Sequence, residues 1–485
     1  MNIFKRLYIG IIKLFSRKGY KGAEKGRLYG KWIVNNNSPN ANLEQYPTLR
    51  QRANDLYVNN PFINGAINTL VNRIVGAGTT PQARTKNNDF NTQVEQAFKR
   101  WSESADVYGQ YHFGDMERVI IQKLFLDGGV FIKTNLDNRR KNPFCLELLE
   151  YSRLATYGAT PQGRNVVIQG VEINPSNGTV VAYHFVPAII DDTTFNHRPV
   201  RIPVSNIIHF SPFRRPGQIL GIPLLTPAIP YAYNLGEIVE AELISKKVEA
   251  SLSVFVKTGD VYSHIQAASE NQTTSEREIE IAPGMINYLE PGEDIQILDP
   301  NRPGKNFKDF TYFILEGIAR SLGMSLEQIT GDKSQVNYSS ARHSELELRD
   351  YIKPFRKAIE RYFLNPIWRQ FISYAVMSGV LKVKDFMSNQ EEYEKVEWIF
   401  KGDDWVDPVK EINAKANEIL LGVSTLSEVC AAKGKDWQEV AKQRAREKEF
   451  LNNLGLNDIS QETQIKDTIR SLEVIDGGKA QSNGR

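Results

Sequence analysis

From Asn59 onward the apolar positions repeat at helical intervals. Pro61 stands where the first turn of a helix tolerates proline, and Ile63, Ala66, Ile67, Leu70, Val71 and Ile74 share one face. Gly76-Ala77-Gly78 stops that pattern. The spacing predicts further helices over Phe90–Trp101 and Asp115–Leu126, the second ended by Gly128-Gly129. Strand-like runs then take over. Val130–Thr134 and Phe144–Leu149 read as strands, Val166–Val171 and Thr179–Val186 as a hairpin closed by Asn174–Gly178, and Asn206–Phe210 as another strand. Pro212–Pro223, rich in Pro, Gly and Arg, reads as a connector.

The character changes after that connector. Tyr231–Val254 is a long helical candidate, about 36 Å at ~1.5 Å per residue. Its acids Glu237, Glu240, Glu242 and Glu249 are partly offset by Lys246 and Lys247, so it should pack on copies of itself or line a solvent-filled space. A polar stretch, Gly259–Arg277, precedes two predicted strands, Met285–Leu289 and Ile295–Leu298. Lys308–Leu322 places Phe310, Phe313, Ile314, Gly317, Ile318 and Ser321 at helical spacing, and Ser325 with Gln328 forms a capping-box pattern. After the polar loop Gly331–Ser339 comes a helical run to about Val380 containing Pro354 and Pro366. An internal proline costs ~3 kcal/mol, so this run should be bent or broken there. Ser339 or Ser340 is expected to cap it, with Tyr338 packed at the loop base. A final helical group covers Val409–Asn453, and the tail from Asp476 reads as disordered. The whole is α+β and mainly helical.

Composition adds two constraints. With 41% hydrophobic residues among 485 there is material for a sizeable core, and two cysteines exclude a disulfide framework and a thiolate zinc site. The net charge of +3 is unevenly spread: residues 1–31 hold nine Lys/Arg against Glu24, leaving 51 basic and 56 acidic groups in the remainder. The body is therefore slightly acidic and the N-terminal arm basic. In that arm Ile3, Phe4, Leu7, Tyr8, Ile11, Leu14 and Phe15 fall at helical spacing, yet the run Leu7–Ile12 is too short to span a bilayer. It reads either as an amphipathic helix able to touch a membrane surface, phosphates or a partner groove, or as an assembly arm that orders only in a complex.

The sequence carries no recognisable catalytic motif. The nearest string to a phosphate-binding loop, Gly26–Lys31, is one residue short, and the histidines His112, His184, His197, His209, His264 and His343 lack metal-ligand spacing. His209 lies in an apolar strand and reads as a core histidine. Gly76-x-Gly78 follows a helix rather than a strand, so it is not a dinucleotide loop. Asp403, Asp404 and Asp407 read as caps of the next helix or as a carboxylate cluster for a metal. No catalytic residue, metal ligand or cofactor site is assigned, and the chain is expected not to be an enzyme.

Several strings, in order, carry a resemblance. They are Asp55–Pro61 with Gly65-Ala66 and Val75–Gly78; Pro283-Gly284, Leu289–Glu293, Pro300 and Asn306-Phe307; Asn337–Arg342 with Leu346-Glu347 and Arg349; and Asp407–Glu411 with Gly422–Thr425 and Asp436-Trp437. Together they resemble the lambda-type bacteriophage portal proteins over roughly residues 45–455. One departure stands at Ile219-Leu220-Gly221, where the family pattern leads one to expect Arg-Gly after Gln218.

The resemblance implies a portal fold assembled as a ring of identical subunits, typically about twelve, around a central channel at a capsid vertex. Double-stranded DNA would be packaged through it by a terminase and later ejected, and a head–tail adaptor would dock on it. The implied parts are a basic arm (1–44), wing (45–223), stem helix (224–254), clip (255–300), second stem helix (301–330), tunnel loop (331–339), kinked helix and wing return (340–405), crown (406–455) and flexible tail (456–485). Implied partners are further copies of the chain, double-stranded DNA without sequence preference, the terminase large subunit, the adaptor, and the major capsid and scaffold proteins; membrane contact is an option for the arm alone. The implied location is the virion, after synthesis in the bacterial host cytoplasm.

Within that frame Lys333, the single cation of the loop, is expected to face DNA with Ser334, Gln335 and Asn337, while Glu237, Glu240, Lys246 and Lys247 are candidates to line the channel. A slightly acidic body suits a conduit, because each phosphate contact would add affinity and hold the DNA back. Two rival classes remain at this point. A packaging nuclease or ATPase would need the missing phosphate loop or clustered carboxylates; another ring-forming connector, an adaptor or tail component, would usually be shorter.

Overall fold

The structure is a computed structural model and describes residues 38–187, 198–212, 215–251, 254–257, 286–289, 307–334, 336–402 and 408–454. Residues 1–37 of the basic arm, the Asp403–Asp407 group, the polar stretch Gly259–Arg277, the strand expected at Ile295–Leu298 and the C-terminal tail lie outside the described residues.

The first elements follow their local signals closely. Helices α1 (Tyr46–Asn59) and α2 (Pro61–Ile74) meet at Asn60, whose side chain accepts from the Phe62 and Ile63 N–H groups at 3.0 and 3.1 Å. The left-handed Gly76 (φ +62°) ends α2. Strand β1 (Thr80–Ala83) and helices α3 (Asn88–Ser102) and α4 (Phe113–Leu126) follow. Gly78 and Gly114 touch backbone to backbone: a Cβ on Gly78 would lie 2.7 Å from the Gly114 Cα. That close approach brings the exit of α2 onto the start of α4.

Strands β2 (Val130–Leu136) and β3 (Phe144–Leu149) begin the sheet region, which continues with β4 (Val166–Ile168), β5 (Val171–Ile173), β6 (Val180–Phe185), β7 (Val200–Pro203) and β8 (Ile207–Phe210). They form two antiparallel sheets, ordered β3-β2-β8 and β4-β5-β6-β7. The run expected as one strand over Val166–Val171 is instead two, folded at Gln169-Gly170. Both residues have positive φ (+50° and +78°), the requirement of a two-residue hairpin turn whose twist matches its strands.

Helix α5 (Ile229–Ser251) stops before the predicted Val254, which starts strand β9 (Val254–Lys257). Strand β10 (Ile286–Leu289) pairs with β9 in parallel. Next come α6 (Phe307–Ser321), α7 (Leu326–Thr330) and α8 (Tyr338–Ile359). Pro354 sits inside α8 without ending it, and the irregularity falls nearly two turns later, in a π-helical segment at Glu360–Leu364 ahead of α9 (Asn365–Met377). Pro366 has no N–H to donate and its ring would crowd the Tyr362 carbonyl, so the wider turn relieves both conflicts. Short α10 (Gln390–Tyr393), strand β11 (Val396–Ile399, antiparallel to β1) and helices α11 (Pro408–Leu420), α12 (Leu426–Ala432) and α13 (Trp437–Asn453) complete the described chain.

The expected capping of α8 by Ser339 or Ser340 is incorrect. Asn337 is the N-cap, its side chain accepting from the Ser340 N–H at 2.8 Å, because the helix begins at Tyr338, ahead of both serines, which lie inside its first turn. Tyr338 does not pack at the loop base; it is exposed.

The main core gathers residues far apart in sequence around Phe98. Its ring lies 5.2 Å from Trp101, 5.4 Å from Phe113, 5.3 Å from Trp368, 5.1 Å from Phe371 and 5.9 Å from Trp398. Thus α3, α4, α9 and β11 share one aromatic cluster. The Trp101 indole N–H donates to the Phe144 carbonyl at 2.7 Å, which binds β3 to it. A smaller core lies between the two sheets, where Phe131, Tyr151, Tyr183 and Phe185 pack with Ile202 and Ile207. There His209 stacks on Phe131 at 4.3 Å and meets the Tyr151 hydroxyl at 2.5 Å, as expected of a structural histidine.

The outer sheet is held by one buried carboxylate. Glu172 on β5 accepts from Arg201 Nε (2.7 Å), Asn165 Nδ2 (2.7 Å) and the Gln162 N–H (3.1 Å), and shares a 2.9 Å bond with His184 Nε2. Burial pushes its carboxyl up, but the bonds from Arg201, Asn165 and His184 outweigh that and hold it down at about 2.

Two outcomes follow from this packing. Phe98→Ala should cost ~3–5 kcal/mol, seen as a lower urea midpoint with an unchanged slope. Glu172→Gln should cost about 3 kcal/mol near pH 7. Because the folded carboxyl titrates below its unfolded value of ~4.3, that difference should be full above pH 5 and shrink as pH falls toward 2. Urea titrations of both proteins at pH 7 and pH 3 would measure it.

Candidate channel surface

Helix α7 sets the start of the polar loop. Gln328 accepts from the Ser325 N–H at 3.0 Å, one half of the predicted capping box, and left-handed Gly331 (φ +73°) ends the helix. The chain turns at Asp332, whose Oδ1 accepts from the Ser334 N–H at 2.9 Å while its own N–H donates to Thr330 Oγ1 at 3.2 Å. Lys333 and Ser334 are exposed, and the Lys333 carbonyl accepts from the Val336 N–H at 3.2 Å. Gln335 lies outside the described residues. Asn337 is exposed too, but its side-chain oxygen is engaged in capping α8, which leaves the amide nitrogen to reach outward.

The far side of the loop is anchored through α8. Arg73 on α2 makes a two-pronged pair with Glu345 (2.9 and 3.0 Å), and Arg349 joins the same carboxylate at 3.3 Å. Phe355 stacks on Phe125 at 5.4 Å, which seats the middle of α8 against α4. The near side is anchored to α6: Tyr312 donates its hydroxyl to Asp332 Oδ2 at 2.8 Å. Neither Tyr312 nor Asp332 stands in a motif that marks it in the sequence; an Asp directly after a helix-ending glycine is the one local hint.

Helices α5 and α6 pack on each other, and each buries only part of its apolar content. Helix α5 puts Ala232 and Leu235 in the main core with Ile238 partly covered; past it, Val239, Leu243 and Ile244 are exposed. Glu237, Glu240, Lys246 and Lys247 are exposed as well. In α6 the buried face is Thr311, Ile314, Leu315, Ile318 and Ala319. Phe310 and Phe313, expected on that face, point away from it and are 52% and 68% exposed. Spacing alone could not separate them, because two apolar stripes run along this helix and the core takes one.

The described residues show no assembled catalytic centre. No group of three or more His, Cys, Asp or Glu among them could hold a metal ion, and no described helix is long and apolar enough to cross a membrane. A polar cavity of about 290 Å³ between the end of β8 and the π-helical turn is lined by His209, Ser211, Arg215, Gln218 and Tyr362. His209, its one ordinary acid–base candidate, is committed to Tyr151.

The described chain is α+β and mainly helical, the fold class expected from the sequence. The family model described as phage portal protein, lambda family, matches residues 25–356, well over half of the chain. The chain belongs to the lambda family of phage portal proteins. Among similar portal proteins, the "Probable portal protein" of Halomonas phage phiHAP-1 is 26% identical over 458 residues, covering 90% of this chain and 87% of that one. "Portal protein B" of Escherichia phage lambda is 23% identical, over 90% of this chain and 91% of its own length. Among solved structures, a chain from the neck of an empty gene transfer agent particle aligns with a TM-score of 0.41 and 13% identity, over 81% of this chain and 94% of that one. Portal proteins of this family are structural components of the particle.

Proposed function

We propose that copies of this portal protein close into a ring, around twelve by family habit, through which double-stranded DNA enters a capsid and later leaves. The observation that carries this reading is the pair of unburied apolar stripes on α5 and α6. Val239, Leu243 and Ile244 on one helix and Phe310 and Phe313 on the other are too many large side chains to leave in water on neighbouring elements. In a closed ring the stripe on one side of a subunit meets the different stripe of the next, a head-to-tail contact that uses up both.

On this reading residues 45–223 form the wing, 224–254 and 301–330 the stem, 255–300 the clip and 406–455 the crown. The 331–339 loop, with 340–405 behind it, narrows the channel. Lys333 and Ser334 meet the DNA backbone together with Gln335 and the free amide of Asn337; Glu237, Glu240, Lys246 and Lys247 line the wall. The slightly acidic body keeps those contacts exchangeable, and a contact to phosphate rather than to base edges lets any sequence pass. The ring sits at the capsid vertex of the virion, having been made in the host cytoplasm. It receives the terminase large subunit during packaging and the head–tail adaptor afterwards, with capsid and scaffold proteins around its wing. It works as a passive conduit rather than an enzyme, and the basic arm serves assembly.

Electron micrographs of the purified protein should show rings with a central hole; monomers that hydrolyse nucleotide unaided would sink the proposal. Phe313→Asp should leave the chain folded but shift it to small species in analytical ultracentrifugation. Lys333→Ala should leave rings intact and lower the yield or retention of packaged DNA, and an unchanged count of DNA-filled heads would remove Lys333 from the contact.

A further inference from the structure

The polar loop and α6 reach each other across a gap of sequence, and the contact between them is more specific than packing demands. Tyr312 Oη donates to Asp332 Oδ2 at 2.8 Å. Lys308, one turn earlier on the same helix, places its ammonium 3.9 Å from that oxygen and 5.0 Å from the Tyr312 ring centre. The second oxygen, Oδ1, accepts from the Ser334 N–H at 2.9 Å. One carboxylate thus grips a helix side chain with one oxygen and the loop's own turn with the other. Lys333 is the residue between the two ends of that turn.

The carboxylate is well suited to the task. Hydrogen bonds from Ser334, joined by the one from Tyr312, hold the Asp332 carboxyl down at about 2 against slight burial, so it stays a charged acceptor at any working pH. Hydrogen bonds to a charged partner are shorter than neutral ones and worth roughly twice as much. The Tyr312 ring packs against the main core beside the buried Ile314, Leu315 and Ile318, but its hydroxyl contributes nothing to that apolar packing and is left to Asp332, whose own side chain is not part of the core.

We propose that Tyr312 and Asp332 form a latch through which helix α6 sets the position of the loop and thereby where Lys333 stands. A shift of α6 along or around its axis is carried to the loop through this bond, while the other end of the loop stays fixed by Asn337 and the Arg73–Glu345 pair. Tyr312 and Asp332 are positioning residues; the consequence for DNA rests on the reading that the loop faces the channel, but the latch itself does not.

Amide hydrogen exchange on the assembled full-length protein tests it directly. In Tyr312→Phe, exchange at Ser334 and Val336 should quicken about ten-fold, the loss expected for one charge-assisted bond, with exchange in α9 and the melting temperature unchanged. Asp332→Ala should do the same or more, Asp332→Asn should retain part of the protection, and the Tyr312→Phe/Asp332→Ala double variant should go no further than Asp332→Ala alone. Loop exchange in Tyr312→Phe equal to that of the unmodified protein, or effects of the two changes that simply multiply, would overturn the latch. The DNA arm separates the two ideas. If Tyr312→Phe rings exchange quickly yet fill heads normally, the latch stands and the channel-facing reading of the loop fails. If Lys333→Ala loses DNA while Tyr312→Phe exchanges as before, the latch fails and that reading stands.

Discussion

The rest of the molecule depends on burying the aromatic cluster around Phe98. Its members come from α3, α4, α9 and β11, so no local segment can bury it alone. Each of these rings removes well over 100 Å² from water, which makes their joint burial the strongest force pulling residues near 370 and 400 onto residues near 100. That closure in turn fixes β1 against β11 and orients α8 along α2 and α4. The π-helical turn before Pro366 is the adjustment that lets one nearly continuous helix bring Trp368 and Phe371 into the cluster while its first half supports the loop.

A core this dominant also decides what stays outside. It takes one edge of α5 and one stripe of α6 and leaves the others in water, together with the loop between α7 and α8. The exposed stripes and the exposed loop are two sides of the same arrangement. On the proposed reading, one supplies the adhesion that a head-to-tail ring needs; the other is a small polar element held at both ends by ion pairs and hydrogen bonds rather than by burial. An element held that way can be displaced without disturbing the core, since its ties cost little to break compared with an aromatic contact. On the proposed reading, a conduit that must let a charged polymer slide through has use for such a part.

Much of this was legible along the chain. The helix over Pro61–Ile74, its glycine stop, the strands starting at Val130 and Phe144, and the helices that flank the polar loop follow from periodicity and capping chemistry; β1 and β11, four residues each, do not, because each is completed only by pairing with the other about 300 residues away. The misses have physical causes. Gln169 adopting a left-handed conformation splits an apparent strand, and no rule of apolar spacing announces a non-glycine residue there. Asn337 takes the capping role from the serines because capping depends on where the first turn begins, and the backbone outside the helix sets that. Phe310 and Phe313 share spacing with the core stripe of their helix but not its destination.

The linear order of residues determined the elements, the family and the uneven charge, because each of these is set by neighbours within a few positions or by composition. Only the tertiary structure decided which of two apolar stripes would be buried, that Glu172 would gather four partners in the outer sheet, and that Tyr312 would meet Asp332. Those outcomes turn on distances between residues far apart in the chain. Such distances come from the shape of a core assembled by many side chains at once, and no single stretch of sequence contains it.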